Sequence, residues 1–221
     1  MDKKGQIDTF SRLSRVSRET IISLKKYEEL LINANKSLNL IGKSTIKDIW
    51  HRHFLDSFQL IDFIDKNDKN LIDLGSGAGF PGLILAIAAR DRKLPLKVTL
   101  IEKSKKKTYF LNKINSELDL NVRVICENIL DEGKKFVSDV FVARAFKPFQ
   151  TILGLMHKKV DNYKKFFIFL GKTGNQELLQ ASKNWDIKYK QRMSTTSNDS
   201  FIIEVNKLEK KQIWKILKLF L

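Results

Sequence analysis

The chain has 221 residues, a net charge of +16 from 41 basic and 25 acidic residues, and a single cysteine, Cys126. Such a length buries roughly 70% of the unfolded surface, enough for one α/β domain with a smaller appendage, and the lone cysteine excludes an intrachain disulfide and a cysteine-based zinc site. The charge points to a polyanionic partner, although lysine supplies 32 of the 41 basic residues and composition bias accounts for part of it.

Residues 1–65 contain no convincing strand and read as a helical extension. Arg12, Arg15 and Arg18 repeat every three residues, as on one face of a first helix. Ile21, Ile22, Leu24, Tyr27, Leu30 and Leu31 then fall on helical spacing, which predicts a helix over Thr20–Leu31 with one face docked on a larger body. A further helix is expected over Ile46–Ile64, with Trp50, Phe54, Leu55, Phe58 and Ile61 inward, and DKNDKN at 65–70 is the link. Nothing in MDKKGQIDTF has signal-peptide character, and the apolar run over 80–89 falls short of the roughly 20 residues that span a bilayer. The reading is a cytoplasmic protein.

The main domain, 66–208, opens on NLIDLGSGAGFPG at 70–82, a buried strand running into a glycine-rich turn and then the apolar helix LILAIAA. Strands are expected at Val98–Ile101, Val122–Cys126, Val140–Ala143 and Phe166–Leu170, with helices between, which argues for a doubly wound, mainly parallel α/β sheet. Ile187–Gln191 and Phe201–Val205 should pair across the polar loop STTSNDS as an antiparallel edge hairpin, giving seven strands in all. The tail Glu209–Leu221 reads as an amphipathic helix.

The turn suits a nucleotide-type cofactor. Gly77, Gly79 and Gly82 satisfy G-x-G-x-x-G, weak evidence for a dinucleotide whose pyrophosphate meets a helix amino terminus. The alternative is S-adenosylmethionine. Asp73, just before the first glycine, would oppose a pyrophosphate but could help to orient a cationic amino-acid moiety. Glu102, after the second strand, is placed to accept both ribose hydroxyls, which either cofactor offers. Glu127 to Leu130, after the third, would lie beside an adenine, with Ile129 on its ring. Arg144, at the end of the fourth, can grip a phosphate or the O6 edge of a guanine, or be a structural arginine bridging to Asp73 or Asp139. Phe146 and Phe80 could stack on a base. No nucleophile, base and orienting acid stand together: His51 and His53 share a helix and His157 sits on another.

Four stretches carry a family resemblance: Asn39–Ser57 with RHFLDS at 52–57, IDLGSGAGFPGLILAI, IEKSKKKTYFL at 101–111, and VARAF at 142–146. On them the chain resembles the ribosomal RNA small subunit methyltransferase G family, class I enzymes also called glucose-inhibited division protein B. The resemblance implies methyl transfer from S-adenosylmethionine to N7 of one guanine in 16S rRNA of the small ribosomal subunit. The cofactor contacts implied by the resemblance are Gly75, Phe80, Glu102, Ser104, Ile129, Leu130 and Arg144, and the reading of the turn and of the segment after the third strand adds Asp73, Ser76, Gly77, Gly79 and Asn128. Arg144 also positions the substrate, and no general base or metal is required. The RNA surface is expected to use Arg12, Arg15, Arg18, Arg52, His53, Lys103, Lys105, Lys106, Lys107 and Lys172. Lys172 stands just past the place after the fifth strand where many members carry a lysine-glycine pair. A monomer without membrane contact is expected. A nicotinamide-dependent oxidoreductase and a non-catalytic RNA-binding module with a decayed cofactor site are the rival readings.

Overall fold

The computed structural model describes residues 1–133 and 135–211. Helix α1 (Lys3–Ser14) begins where the Asp2 carboxylate accepts the Gly5 amide and stops at Arg15, whose φ of 53° is left-handed. Helix α2 (Arg18–Leu38) begins on Ser17, whose hydroxyl accepts the Thr20 amide, and ends at left-handed Asn39. These caps break the expected arginine stripe: Arg12 lies in the last turn of α1, Arg15 is its cap, and Arg18 opens α2.

The expected helix over Ile46–Ile64 is a chain of turns of different pitch. A 3-10 turn (Lys43–Asp48) leads into a π-helical turn (Trp50–Leu55), the short α3 (Asp56–Phe58) and a second 3-10 turn (Gln59–Phe63). Trp50, Phe54, Leu55, Phe58 and Ile61 are all buried, as the spacing predicts. Apolar periodicity finds the inward face but is blind to a local change of pitch.

From β1 (Asn70–Leu74) strands and helices alternate: α4 (Gly82–Asp91), β2 (Lys97–Glu102), α5 (Lys105–Glu117), β3 (Val122–Cys126), β4 (Val140–Arg144), α6 (Phe149–Lys159), β5 (Lys165–Leu170) and α7 (Gly174–Ala181). Two long strands follow, β6 (Trp185–Ser194) and β7 (Ser197–Lys210). The sheet runs β3-β2-β1-β4-β5-β7-β6, parallel from β3 to β5 and antiparallel at β7 and β6. The hairpin is longer than expected. Ser194 pairs with Ser197, so most of STTSNDS is strand and only Thr195 and Thr196 turn. Glu209 and Lys210 also belong to β7, opposite Asp186 and Trp185, and the rest of the expected carboxyl-terminal helix, 212–221, lies outside the described residues.

Both faces of the sheet are covered, which is why its strands read as unbroken apolar runs. Leu71, Val98, Leu100, Val140 and Val142 pack with α2, α4, α5 and the 43–63 segment, whereas Ile72, Leu74, Ile101, Phe141 and Ala143 pack with α6 and α7. β1 lies between β2 and β4, so the connections leave it in opposite directions and open a crevice beyond its carboxyl end.

The amino-terminal extension is part of the wall of that crevice. The Tyr27 hydroxyl donates to the Ala78 carbonyl in the glycine turn at 2.5 Å, and its fully buried ring stacks on Phe54 and Phe80. The turn joining α1 to α2 lies far from it. Ser17 and Thr20 donate to the Asp91 carboxylate at the distal end of α4, so Arg15 and Arg18 sit toward the amino-terminal end of the strands, away from the crevice.

Candidate active site

A cavity of about 530 Å³ lies at the carboxyl ends of β1, β2 and β4, within the range of small-molecule sites. The glycine turn forms its floor. The amides of Gly75 and Ser76 donate to the Ile101 carbonyl at 2.9 and 3.1 Å, tying the turn to β2. Gly75 has a φ of +73° and a Cβ there would meet the Phe146 ring at 1.9 Å, so only glycine fits beneath that ring. Phe146 reaches this place because Ala145 takes a left-handed φ of 48° just past β4.

Glu102 does more than its strand-end position implies. Its Oε2 accepts the Gly77 amide at 3.0 Å and its Oε1 accepts the Ser104 amide at 2.8 Å, so one carboxylate joins the glycine turn to the start of α5. Each oxygen keeps a lone pair for a ligand hydroxyl. Ile101, Asn128 and Ile129 line the wall on the β3 side, and Glu127 lies among them. Leu40, Ile41 and Gly42 cover the cavity from the extension. Asn35 holds that cover by accepting the Ile41 amide and donating to its carbonyl. The cover has one signal in the sequence: it falls within the Asn39–Ser57 stretch.

Several expected cofactor contacts lie elsewhere. Asp73 is fully buried beneath the turn; its Oδ2 accepts the Gly82 amide at 3.0 Å and its Oδ1 has no partner. Burial pushes its carboxyl up to about 7. It holds the start of α4 and does not line the cavity. Gly79 faces Leu83 and the Tyr27 hydroxyl. Ser104 caps α5 through the Lys107 amide, and Leu130 is exposed outside the cavity. Gly75, Ser76, Gly77, Phe80, Glu102, Asn128, Ile129 and Arg144 line it as expected.

At the β4 side, Arg144 is held by three bonds. Nη2 donates to the Arg52 carbonyl at 2.6 Å and pairs with Asp56 Oδ2 at 2.9 Å, while Nη1 donates to His53 Nδ1 at 3.3 Å. The expected structural partners Asp73 and Asp139 are not the ones used; the partner is Asp56, inside RHFLDS. An arginine cannot accept, so His53 Nδ1 carries no proton, and Nε2–H donates to the Thr45 hydroxyl at 2.9 Å. The His53 ring stacks on Phe80 at 5.0 Å, and burial beside Arg144 and Arg52 pushes it down to about 3. His53 is thus a neutral wall residue rather than part of a basic surface. Phe80, clamped between Tyr27 and His53, belongs to the same wall.

Of the other basic residues, Lys103 and Lys107 line the cavity, Lys105 and Lys106 are exposed at the start of α5, and Arg52 is exposed on the other side of His53, beside Thr45 and Asp48. Lys172 is 82% exposed and pairs loosely with Asp199 of the hairpin at 3.4 Å. Among the described residues no three His, Cys, Asp or Glu side chains could hold a metal, and no helix is long and apolar enough to cross a membrane.

A mainly parallel sheet whose strand order reverses beside β1, a glycine turn at the end of that strand and a carboxylate at the end of β2 define the class I methyltransferase fold. TrmK of M. capricolum, solved in complex with S-adenosyl-homocysteine, shares it with a TM-score of 0.51 at 19% identity, over 68% of this chain and 67% of that one. The family model for rRNA small subunit methyltransferase G matches residues 20–207, and the chain belongs to that family. Proteins named ribosomal RNA small subunit methyltransferase G are similar to it at 41% identity in Pelagibacter ubique and 35% in Rickettsia felis. These alignments span 89% and 90% of this chain, and 92% and 99% of the relatives.

Proposed function

We propose that the chain transfers a methyl group from S-adenosylmethionine to N7 of a guanine in 16S rRNA. The observation that carries the reading is the cavity itself, with Glu102 and the glycine turn on one side and Arg144 on the other, in a chain of this family. The residues fit the cofactor: Glu102 keeps acceptors for a ribose diol, Ile101 and Ile129 offer an apolar wall for adenine, and the turn lets a ligand approach the backbone closely. When bound, S-adenosylmethionine supplies an electrophilic methyl group on a sulfonium.

Guanine N7 carries a lone pair, so no residue has to remove a proton before attack. The site matches that requirement. Its only histidine is neutral, has its acceptor nitrogen engaged by Arg144, and is held in one tautomer. Catalysis then rests on alignment within a shielded cavity. Arg144 keeps its Nε–H and one Nη1–H for guanine O6 or an adjacent phosphate, and the lysines opening α5 with Arg52 meet the RNA backbone. Arg15 and Arg18, at the far end of α4, take no part in that contact. The protein acts in the cytoplasm as a monomer.

The test uses labelled S-adenosylmethionine and small ribosomal subunits from cells lacking the modification. Label in 16S rRNA, mapped to a guanine that becomes cleavable in the manner of 7-methylguanine, is expected. Label in protein or transfer RNA, or at another atom, would end the reading.

A further inference from the structure

Two cavities meet at Arg144 and His53. One is the cofactor cavity; the other, also about 530 Å³, is polar and lined by Thr45, Asp48, Arg52, Asp56 and Ser197 among others. Arg144 therefore places a guanidinium in the wall of a cavity that takes a sulfonium cation, and methyl transfer then puts the positive charge on the guanine. An uncompensated arginine would disfavour both. Its side chain is only 16% exposed, so water and salt screen it weakly.

Asp56 supplies the opposite charge, and it is held in place with unusual completeness. Its side chain is 12% exposed, and Oδ2 pairs with Arg144 at 2.9 Å. Oδ1 accepts from the Ser194 hydroxyl at 3.0 Å, the Thr196 hydroxyl at 2.9 Å and Gln59 Nε2 at 2.9 Å. Gln59 in turn accepts the Thr195 amide at 3.0 Å. The β6–β7 turn, remote in sequence from both motifs, thus clamps the carboxylate that clamps the arginine.

We propose that Asp56 is the charge-balancing and positioning residue of the methyl-transfer site. Held by the hairpin turn, it cancels the Arg144 charge facing the sulfonium and fixes the guanidinium so that its remaining donors point at the acceptor. The proposal rests on the cofactor reading above and adds a role for Asp56, Ser194 and Thr196.

S-adenosylmethionine and S-adenosylhomocysteine differ by one methyl group and one positive charge, so their affinities, measured by calorimetry on the full chain, separate charge from shape. Asp56→Asn keeps the size and an acceptor for Arg144, and the Ser194 and Thr196 hydroxyls can turn to accept its amide at the loss of the Gln59 bond, but it leaves Arg144 uncompensated. Unit charges several ångströms apart at the effective dielectric of a protein change an affinity by roughly ten-fold. Asp56→Asn should weaken S-adenosylmethionine by about that factor and S-adenosylhomocysteine by less than about two-fold. Arg144→Met should move the ratio the other way, and the double variant should restore it.

Equal weakening of the two ligands by Asp56→Asn would reduce Asp56 to a structural residue and overturn the proposal. If Asp56→Asn does not fold, Arg144→Met still decides, because an unchanged or oppositely shifted ratio refutes charge balance. Wild-type protein binding neither ligand would instead refute the cofactor reading.

Discussion

Asp73 and Gly82 are joined by a 3.0 Å hydrogen bond from the Gly82 amide to a carboxyl group with no access to water. The same contact leaves no room for a side chain at residue 82, since a Cβ there would lie 2.7 Å from Asp73 Oδ2 and 2.4 Å from Leu100. The acid of the cofactor motif is thus a brace for the helix that follows the turn.

A pH dependence follows. The Asp73 carboxyl is raised to about 7 by burial, against the opposing pull of Gly82, Ser76 and Arg144 and with a further push from Glu102. The folded state therefore holds a proton that the unfolded chain releases near pH 4, and stability from this group is full below that and falls by up to about 1.4 kcal/mol per pH unit toward 7. Asp73→Asn keeps an acceptor for Gly82 and stays neutral. Thermal unfolding of both proteins from pH 4 to 8 should show wild type losing ground to the variant as pH rises; a constant difference would contradict the assignment.

His53 runs in the opposite sense. Its imidazole is lowered to about 3, so the unfolded chain takes up a proton below about 6.5 that the folded state refuses, and stability drains away as pH falls from 6.5 toward 3. Ring resonances of His53 should stay those of the neutral Nε2–H tautomer between pH 5 and 8. A titration near 6.5 would show that the Arg144 contact is not kept in solution.

Removing one oxygen at residue 27 should be felt in the glycine turn. Tyr27→Phe deletes the donor to the Ala78 carbonyl while keeping the stack on Phe80, at an expected cost of about 1 to 2 kcal/mol. Chemical denaturation measures this loss, and calorimetry should show weaker S-adenosylmethionine binding in parallel. Unchanged stability would mean that the carbonyl finds another donor.

Glu102→Ala removes the ribose acceptor and also the bonds to Gly77 and Ser104. Cofactor affinity should fall about 10- to 150-fold, and the melting temperature should fall as well. A pure ligand contact would lower the affinity and leave the melting temperature in place, so the two readouts separate these roles.

For the RNA surface, reversing Lys105 and Lys106 to glutamate should weaken rRNA binding and make its salt dependence shallower. Each lost phosphate contact lowers the log–log slope by about 0.7 to 0.9. The same change at Arg15 and Arg18, at the far end of α4 from the cavity, should leave the slope alone.

The parallel strands and the glycine turn were legible because each is local: an apolar run of strand length, then glycines where the backbone must turn. Glu102 and Arg144 were legible because strand ends in an open sheet face the ligand. Asp73 was misplaced for a related reason. Adjacency to the glycines in sequence says nothing about depth, and its carboxylate points under the turn. The arginine stripe failed because spacing assumes an unbroken helix, whereas the Ser17 cap starts a new one. Asp56, Tyr27 and the hairpin hydroxyls could not be ranked from sequence at all, since their partners are brought to them only by the closed sheet.

The Tyr27 bond to Ala78 also limits how such a protein can diverge. A shift of α2 along its axis would be transmitted directly to the turn, so the inward face of the extension must change in concert with the catalytic domain. Its outward face carries no such tie. Substitutions are therefore expected to accumulate on the solvent side of α1 and α2, while the register of α2 against the turn stays fixed.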